Sequence, residues 1–398
     1  MKKILFLSTL NLATNPRLVK EIRLALIHQY KVEVICFEFN NWSFAINQQI
    51  KKELRAEAVV IHAIEAGRKP LFNWLYSLAS EFSSRWLVRI IPFGIHLIAQ
   101  ALSRRHVLLI QELRKITEAD WVVGHNPGAM GATLSAAKKL NCKAAFDVED
   151  YHPGEGHDKQ LQFLARKLMQ YCLPKMNYVS FSSSLIMDAV KRDLQQAPMQ
   201  KCFTVLNYFP AAEFIEPEAI NGRIKLVWFS QNIDAGRGIE LILPSVKEKA
   251  DEIELHFYGD LNSSFYDREL KNIPNIIVHH PVSQNDLHKE LSGYDIGLAL
   301  DIPLNINRDL ALTNKLLVYL QVGFYVLATN TKAQQSALDS FPLHGKCFDF
   351  KENNFNKLLD IVLANKHEWR MAKEARFKYF KNTHSWETES IPLLQSWV

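Results

Sequence analysis

Little in this chain of 398 residues ties it to an oxidising compartment, a metal centre or a membrane span. The five cysteines (Cys36, Cys142, Cys172, Cys202 and Cys347) are far apart, with no C-x-x-C pair and no histidine at metal-ligand spacing. That excludes a zinc pattern and reads as buried thiols in a reducing, cytoplasmic compartment. Even the most apolar stretch, residues 70–114, lacks the roughly 18 uncharged apolar residues needed to cross a bilayer. Arg89, Pro92, His96 and Gln100 interrupt it. The formal net charge of +5 is small for this length, short of a nucleic-acid footprint but compatible with anionic substrates or a membrane surface. The start, MKKILFLSTLNLA, places two lysines before an apolar run as a secretory signal does. No clean small-residue cleavage site follows, so Ile4 to Ser8 is predicted instead as a first β-strand feeding a helix at Asn15-Pro16.

What the chain does have is the balance of a globular protein, 48% apolar and 22% charged, in a length that implies two hydrophobic cores of roughly 200 residues each. Short β-branched or aromatic runs alternate with helical patterns, the sequence form of a parallel sheet with crossover helices. KILFLS, KVEVICF, AVVIHAI, DWVVGH, KAAFDV and YVSFSS form one series. IKLVWFS, IELHFYG, NIIVHH, DIGLAL, YVLATN and KCFDF form a second. The predicted fold class is therefore α/β, two Rossmann-like doubly wound parallel-sheet domains facing a central cleft. The hinge falls near Asn207 to Asn221, where NYFPAAEFIEPEAING carries prolines and acids without periodicity.

The stretch Leu298 to Gln334 reads as buried strand, loop, helix opening on Thr313-Asn314-Lys315, a stop at Gly323 and another buried strand. A sheet edge facing a helix N-terminus suits a phosphate. WFSQNIDAGRGIELIL adds a second loop of the same predicted sheet, with a helix starting near Gly238. There Gly236 and Gly238 allow close backbone approach, and Arg237 between them can fork onto a diphosphate. Arg237, Lys315 and helix N–H groups are expected to converge on one anion.

In the first half, Asn15 and Arg17 stand at a helix mouth after the first strand, His125 ends WVVGH, and Glu149, Asp150, His152 and Glu155 share the loop after KAAFDV. A carboxylate there could orient or activate an acceptor hydroxyl. Residues 70–114 interleave Phe72, Trp74, Tyr76, Phe82, Trp86 and Phe93 with Arg85, Arg89, Arg104 and Arg105. They read either as a helix in a membrane interface drawn to anionic lipid or as helices packing on the first sheet.

Together these pieces resemble the GT-B glycosyltransferases of family four, the "group 1" set that moves a sugar from a nucleotide-sugar donor with retention of configuration. The similarity runs from NPRLVKEIRLAL through DWVVGHN and AAFDVEDYHPGE to WETESIPLLQSWV, and TNKLLVYLQVGFYVLATNT is its most specific piece. The resemblance implies an acceptor domain over residues 1–206, a donor domain over 207–385, and a C-terminal helix over 386–398 packing back on the first domain.

Carried over residue by residue, it gives Arg237 the donor diphosphate, with Lys315 compensating for the positive charge missing at Asn232, and it leaves Asp150 at the family's acidic place, Glu149 replacing the acceptor-side histidine; His125, at its strand end, is the further catalytic candidate. Ser230, Gln231, Asn232, Gly236, Gly259, Thr313, Asn314 and Asp309 would bind the donor, Asn232 standing where many members have an arginine. Asn15, Arg17, Glu149, His152 and Glu155 would bind the acceptor, and Asn207 fits the hinge V-x-x-N. Val318 and Leu310 occupy the places of two glutamates that hold the donor ribose and sugar, so either Asp309, Asp301 or Asn314 takes over, or the donor is bound unusually, or catalysis is lost.

No D-x-D triplet is present, so the resemblance implies no metal and no cofactor beyond the nucleotide-sugar itself. Expected partners are that donor, a glycan or lipid-linked acceptor in cell-surface polysaccharide synthesis, and a membrane inner face through residues 70–114, with no nucleic acid. The competing expectations are a catalytically silent module of this fold and a sugar-nucleotide epimerase.

Overall fold

The computed structural model describes residues 1–67, 70–91, 94–195, 197–218 and 222–398. The chain divides into two compact units, one of Met1–Val205 with Pro392–Val398 and one of Leu206–Ile391. Phe93 and the last three residues of the expected hinge, 219–221, lie outside the described residues.

The first unit carries seven strands: β1 (Lys3–Ser8), β2 (Lys31–Glu38), β3 (Val60–Glu65), β4 (Trp121–His125), β5 (Lys143–Val148), β6 (Tyr178–Phe181) and β7 (Cys202–Thr204). Their order in the sheet is β3-β2-β1-β4-β5-β6-β7. The second unit carries β8 (Ile224–Ile233), β9 (Ile253–Leu261), β10 (Ile276–His279), β11 (Ile296–Ala299), β12 (Tyr325–Thr329) and β13 (Gly345–Phe348), ordered β10-β9-β8-β11-β12-β13. Among the described residues every strand pairing is parallel. The central strands are buried end to end because helices cover both faces, which is why β4, β11 and β12 read as continuous apolar runs and do not alternate. In each sheet the strand order reverses once, between β1 and β4 and between β8 and β11.

Three features depart from the sequence reading. The short strand β7 was not anticipated. Both β8 and β9 run past their expected ends, so Gln231 and Asn232 continue a strand, Asn232 opposite Asp260, after a register irregularity between Phe229 and Asn232. The helix expected near Gly238 is instead a single 3-10 turn, Ile239–Leu241, followed by the short helix Leu243–Glu248, whose Pro244 sits in the first turn where a missing N–H does no harm.

Residues 70–114 form three helices, Leu71–Leu87, Ile95–Leu102 and His106–Glu112. The first is inverted in polarity. Ser77 and Ser84 face inward, while Leu71, Phe72, Leu75, Tyr76, Phe82 and Trp86 are exposed, Phe72 by 77% and Phe82 by 79%. At 100° per residue these six fall on one side of the helix. Among the described residues no helix is long and apolar enough to cross a membrane.

The chain end returns to the first unit. Trp397 is fully buried, donates its indole N–H to the Tyr178 hydroxyl at 2.9 Å and meets Phe6 and Tyr30 edge-on. Residues 386–391 stay in the second unit, where the Trp386 N–H bonds the Phe209 carbonyl.

Arg17, expected to face an acceptor, is a corner of the first core. It is 1% exposed, its Nε and Nη2 fork onto both oxygens of Asp147 at 2.5 and 2.7 Å, and its Nη1 donates to the Val205 carbonyl at 2.6 Å. One guanidinium thus ties the helix Pro16–Ile27 to β5 and to the end of the unit. Removing it strands a buried carboxylate, so Arg17→Ala should cost about 3–5 kcal/mol. Urea denaturation of the whole chain measures this; a change below about 1 kcal/mol, the range of exposed pairs, would contradict the anchoring role.

Candidate functional site

In doubly wound sheets ligands dock beyond the carboxyl ends of the strands where the strand order reverses. In the second unit that position, between β8 and β11, holds a pocket of about 160 Å³. The loop after β8 supplies Gly236 and Arg237, the loop after β11 supplies Leu300, Asp301 and Ile302, the short helix Ile306–Leu310 supplies Arg308, the mouth of the helix Asn314–Val322 supplies Thr313 and Lys315, and the first turn and cap of the helix Lys332–Ser340 supply Gln334 and Thr331. The two cations that sequence reasoning set apart by nearly 80 positions line one cavity.

Glycine makes this convergence possible. Gly238 has φ 80°, and a Cβ there would sit 2.2 Å from the Leu300 carbonyl oxygen, so only glycine lets the β8 loop lie against the β11 loop. Lys315 enters from below, its Nζ 4.0 Å from Asp301 Oδ1 and 5.6 Å from the Trp228 ring centroid. Arg308 is held by the short helix Ile306–Leu310, whose cap Asn305 accepts from its backbone N–H at 2.9 Å. Among the described residues the side chains of Arg237 and Arg308 are exposed and make no hydrogen bond or ion pair. Thr313 makes no side-chain capping bond, so the first N–H groups of Asn314–Val322 are left for another acceptor. Three cationic side chains and one helix mouth around a single carboxylate make an anion site. Arg308 was missed because its neighbourhood, PLNINRDLA, carries no glycine and no long helix to mark it.

Several expected donor residues lie elsewhere. Ser230, Gln231 and Asn232 belong to the far end of β8 and do not line this pocket. Gly259 lies inside β9, where a Cβ would meet the Ser230 carbonyl oxygen at 2.3 Å; it borders a separate hollow with His279 and His280. Asp309 turns away, its carboxylate accepting from the Lys332 backbone N–H at 2.8 Å and pairing with the Lys332 ammonium at 3.0 Å. Asn314 accepts from the Asn207 side chain at 2.8 Å. Val318 is buried in an apolar cluster, and Leu310 is buried as well. Of the candidates to replace the missing glutamates, Asp301 alone reaches the pocket. Gly236 lines the pocket, and its N–H donates to Glu240 at 2.7 Å.

In the first unit the loops after β1, β4 and β5 share one sheet edge, where Arg17 pairs with Asp147 and His152 with Glu155, while both Glu21 carboxylate oxygens, His125 Nε2 and His152 Nε2 are buried without a hydrogen-bond partner among the described residues. Asn15 is buried as the cap of Pro16–Ile27, accepting from the Leu18 N–H at 3.1 Å. His125 has no exposed surface, which removes it from contact with an acceptor. Burial lowers its pKa, but the carboxylates of Glu21, Glu149 and Asp147 outweigh burial and push it up to about 10. Burial in turn holds the Glu21 carboxyl above its ordinary range. Glu21, His125 and Asp147 are close enough to share a metal ion. Arg17 already takes both Asp147 oxygens and adds a fixed positive charge, so the cluster is poorly suited to one. Asn126, next in the chain, has φ 69° and ψ 148°, a strained geometry for a residue with a side chain, and accepts from the Ser8 hydroxyl at 2.9 Å.

His152 is also buried. Burial lowers its pKa, but Glu155, 2.8 Å away, leads the contacts that raise it overall. Glu149, Asp150 and Glu155 keep exposed surface.

No protein-family model matches the sequence, and no curated protein sequence matches it. Solved structures do match over the whole chain. Anabaena HepE in complex with UDP-glucose is similar at a TM-score of 0.66 with 11% identity, over 100% of this chain and 99% of that one. TarM of S. aureus, in complex with UDP, fondaparinux and alpha-GlcNAc-glycerol, is similar at 0.65 with 10% identity over 100% of both chains. A UDP-N-acetylglucosamine 2-epimerase from Listeria monocytogenes, described as putative in its own right, is similar at 0.53 with 13% identity, over 94% of this chain and 90% of that one. At these identities the likeness concerns architecture, and the architecture is that of the GT-B glycosyltransferases, two all-parallel α/β units built on sheets of seven and six strands.

Proposed function

We propose that this protein is a retaining glycosyltransferase that takes a sugar from a nucleoside-diphosphate donor and passes it to a glycan or lipid-linked acceptor. The observation that carries the reading is the pocket at the β8/β11 reversal, where Arg237, Arg308 and Lys315 surround space left open at a helix mouth. In the reaction the bond from the anomeric carbon to the diphosphate oxygen breaks and its electron pair stays on the diphosphate. The acceptor hydroxyl oxygen bonds to that carbon and its proton leaves to a base. Charge grows on the leaving oxygen, so pre-placed cations and helix N–H groups stabilise the transition state more than the ground state. In this reading those side chains supply the positive charge that a divalent ion supplies in other transferases. The acceptor binds on the first unit near Glu149, Asp150 and Glu155, with Asp150 as the carboxylate that orients or deprotonates its hydroxyl.

Val318 and Leu310 support a second reading, a silent module that binds the nucleotide without turnover, because two acceptor side chains usual in the resembled family are apolar here. An epimerase would release a sugar still attached to its nucleotide. Arg237→Ala combined with Lys315→Ala should abolish transfer and weaken UDP binding, each lost contact being worth about 3 kcal/mol, roughly a hundredfold. Calorimetric binding and a donor-turnover assay check it. Near-normal affinity in the double variant refutes the assignment, and tight binding without turnover in the unmodified protein favours the silent module.

The exposed face of Leu71–Leu87 supports a location at an anionic membrane surface. Phe72, Leu75, Phe82 and Trp86 would insert at the headgroup level while the exposed Arg89 meets lipid phosphate. A lipid-linked acceptor would then be presented where the protein sits. Phe82→Ser with Trp86→Ser should lower co-flotation with phosphatidylglycerol vesicles by about tenfold, roughly the loss of the apolar area of two aromatic rings against residual contacts. Unchanged flotation removes the membrane from the account.

A further inference from the structure

The pocket that binds the diphosphate in the foregoing reading carries a second chemistry that cations do not explain. Gln334 is 1% exposed, and its side-chain N–H₂ donates at 2.9 Å to both the carbonyl and the hydroxyl oxygen of Thr329. The Thr329 carbonyl fixes the amide orientation, because the reverse assignment would set two oxygens against each other. The remaining atom, Oε1, is buried, unpartnered among the described residues and part of a side chain that lines the pocket. Asp301 presents the same deficit. Its Oδ2 is buried without a hydrogen-bond partner among the described residues, while its Oδ1 lies 4.0 Å from Lys315 and the side chain as a whole is 36% exposed. A buried acceptor left unmade costs about 1–3 kcal/mol, so two in one small cavity mark places where a ligand is to donate.

The diphosphate of a nucleotide-sugar is a diester with no proton to donate near neutral pH, and the amides and cations nearby are donors themselves. We infer that Asp301 and Gln334 together form a hydroxyl-accepting subsite beside the anion site, and that it takes a vicinal polyol, the ribose or the transferred sugar of a nucleotide-sugar. The inference rests on the proposed donor site and assigns what stands in for the acceptors absent at Val318 and Leu310. At about 160 Å³ the pocket is smaller than the roughly 300–1,000 Å³ of sites that enclose a whole ligand. It therefore suits one ring with the adjoining phosphate.

The test is calorimetric titration of the full chain and of Asp301→Asn with inorganic pyrophosphate, UDP, UDP-glucose, GDP and GDP-mannose. Asp301→Asn should weaken the polyol-bearing ligands by about tenfold relative to pyrophosphate, the loss expected for a hydrogen bond to a charged acceptor. Pyrophosphate itself should bind as well or better, because a negative charge beside Lys315 is gone. A loss already seen with UDP or GDP assigns the ribose; a loss confined to UDP-glucose or GDP-mannose assigns the transferred sugar. Gln334→Met should act in the same direction, and should it fail to fold, Asp301→Asn decides alone. An unchanged ratio of polyol ligand to pyrophosphate overturns the subsite and points to water as the usual partner of these oxygens. Pyrophosphate binding that ignores Arg237→Ala, or no binding of any of the five ligands, overturns the donor site beneath it instead.

Discussion

Like charges held together in a small space are stable only if something of opposite sign completes them. In the second unit Arg237, Arg308 and Lys315 line one pocket, and among the described residues lining it Asp301 is the one carboxylate, 4.0 Å from Lys315 and paired with neither arginine. The sheet order forces them together, since the β8 and β11 loops diverge from adjacent strands at one edge, and Gly238 lets their backbones touch. Positive side chains gathered around one small cavity raise the local potential and favour an anion there. Such a site is built for a ligand of high charge density, and a diphosphate at a helix mouth fits both the charge and the open N–H groups.

The first unit solves the opposite problem. Its sheet edge gathers Arg17, Glu21, His125 and Asp147, all buried, and pairs them internally. Cations and carboxylates there neutralise each other and hold the helix Pro16–Ile27 against β5. What stays accessible is a carboxylate rim of Glu149, Asp150 and Glu155. The two units thus offer contrasting chemistry at equivalent edges, cationic in one and acidic in the other, which is the contrast the proposed transfer would use.

The sheet series was legible in the sequence because it depends on local pattern, and from that series follows the adjacency of the β8 and β11 loops that places Arg237 and Lys315 in one pocket. Continuous apolar runs mark strands covered on both faces, and glycines beside an arginine after such a run mark a loop that must pass close to something. Arg17 misled for a physical reason. A cation after proline at a helix mouth looks poised for a ligand, but its partner Asp147 lies 130 positions away and only the fold reveals the pairing. Asp309 misled through direction, since one turn of helix decides whether its carboxylate faces the pocket or Lys332. Arg308 and Gln334 left no signal because their roles arise from where short turns end. The polar tail of β8 likewise gave no strand period, its residues being exposed partners of β9.

The most direct test of the central claim is a crystal structure of the protein with a nucleoside diphosphate bound. The account predicts the terminal phosphate at the mouth of Asn314–Val322, within about 3 Å of the Arg237 guanidinium and the Lys315 ammonium, the usual charge-assisted distance. A diphosphate seated anywhere else, with both side chains still facing solvent, would contradict it.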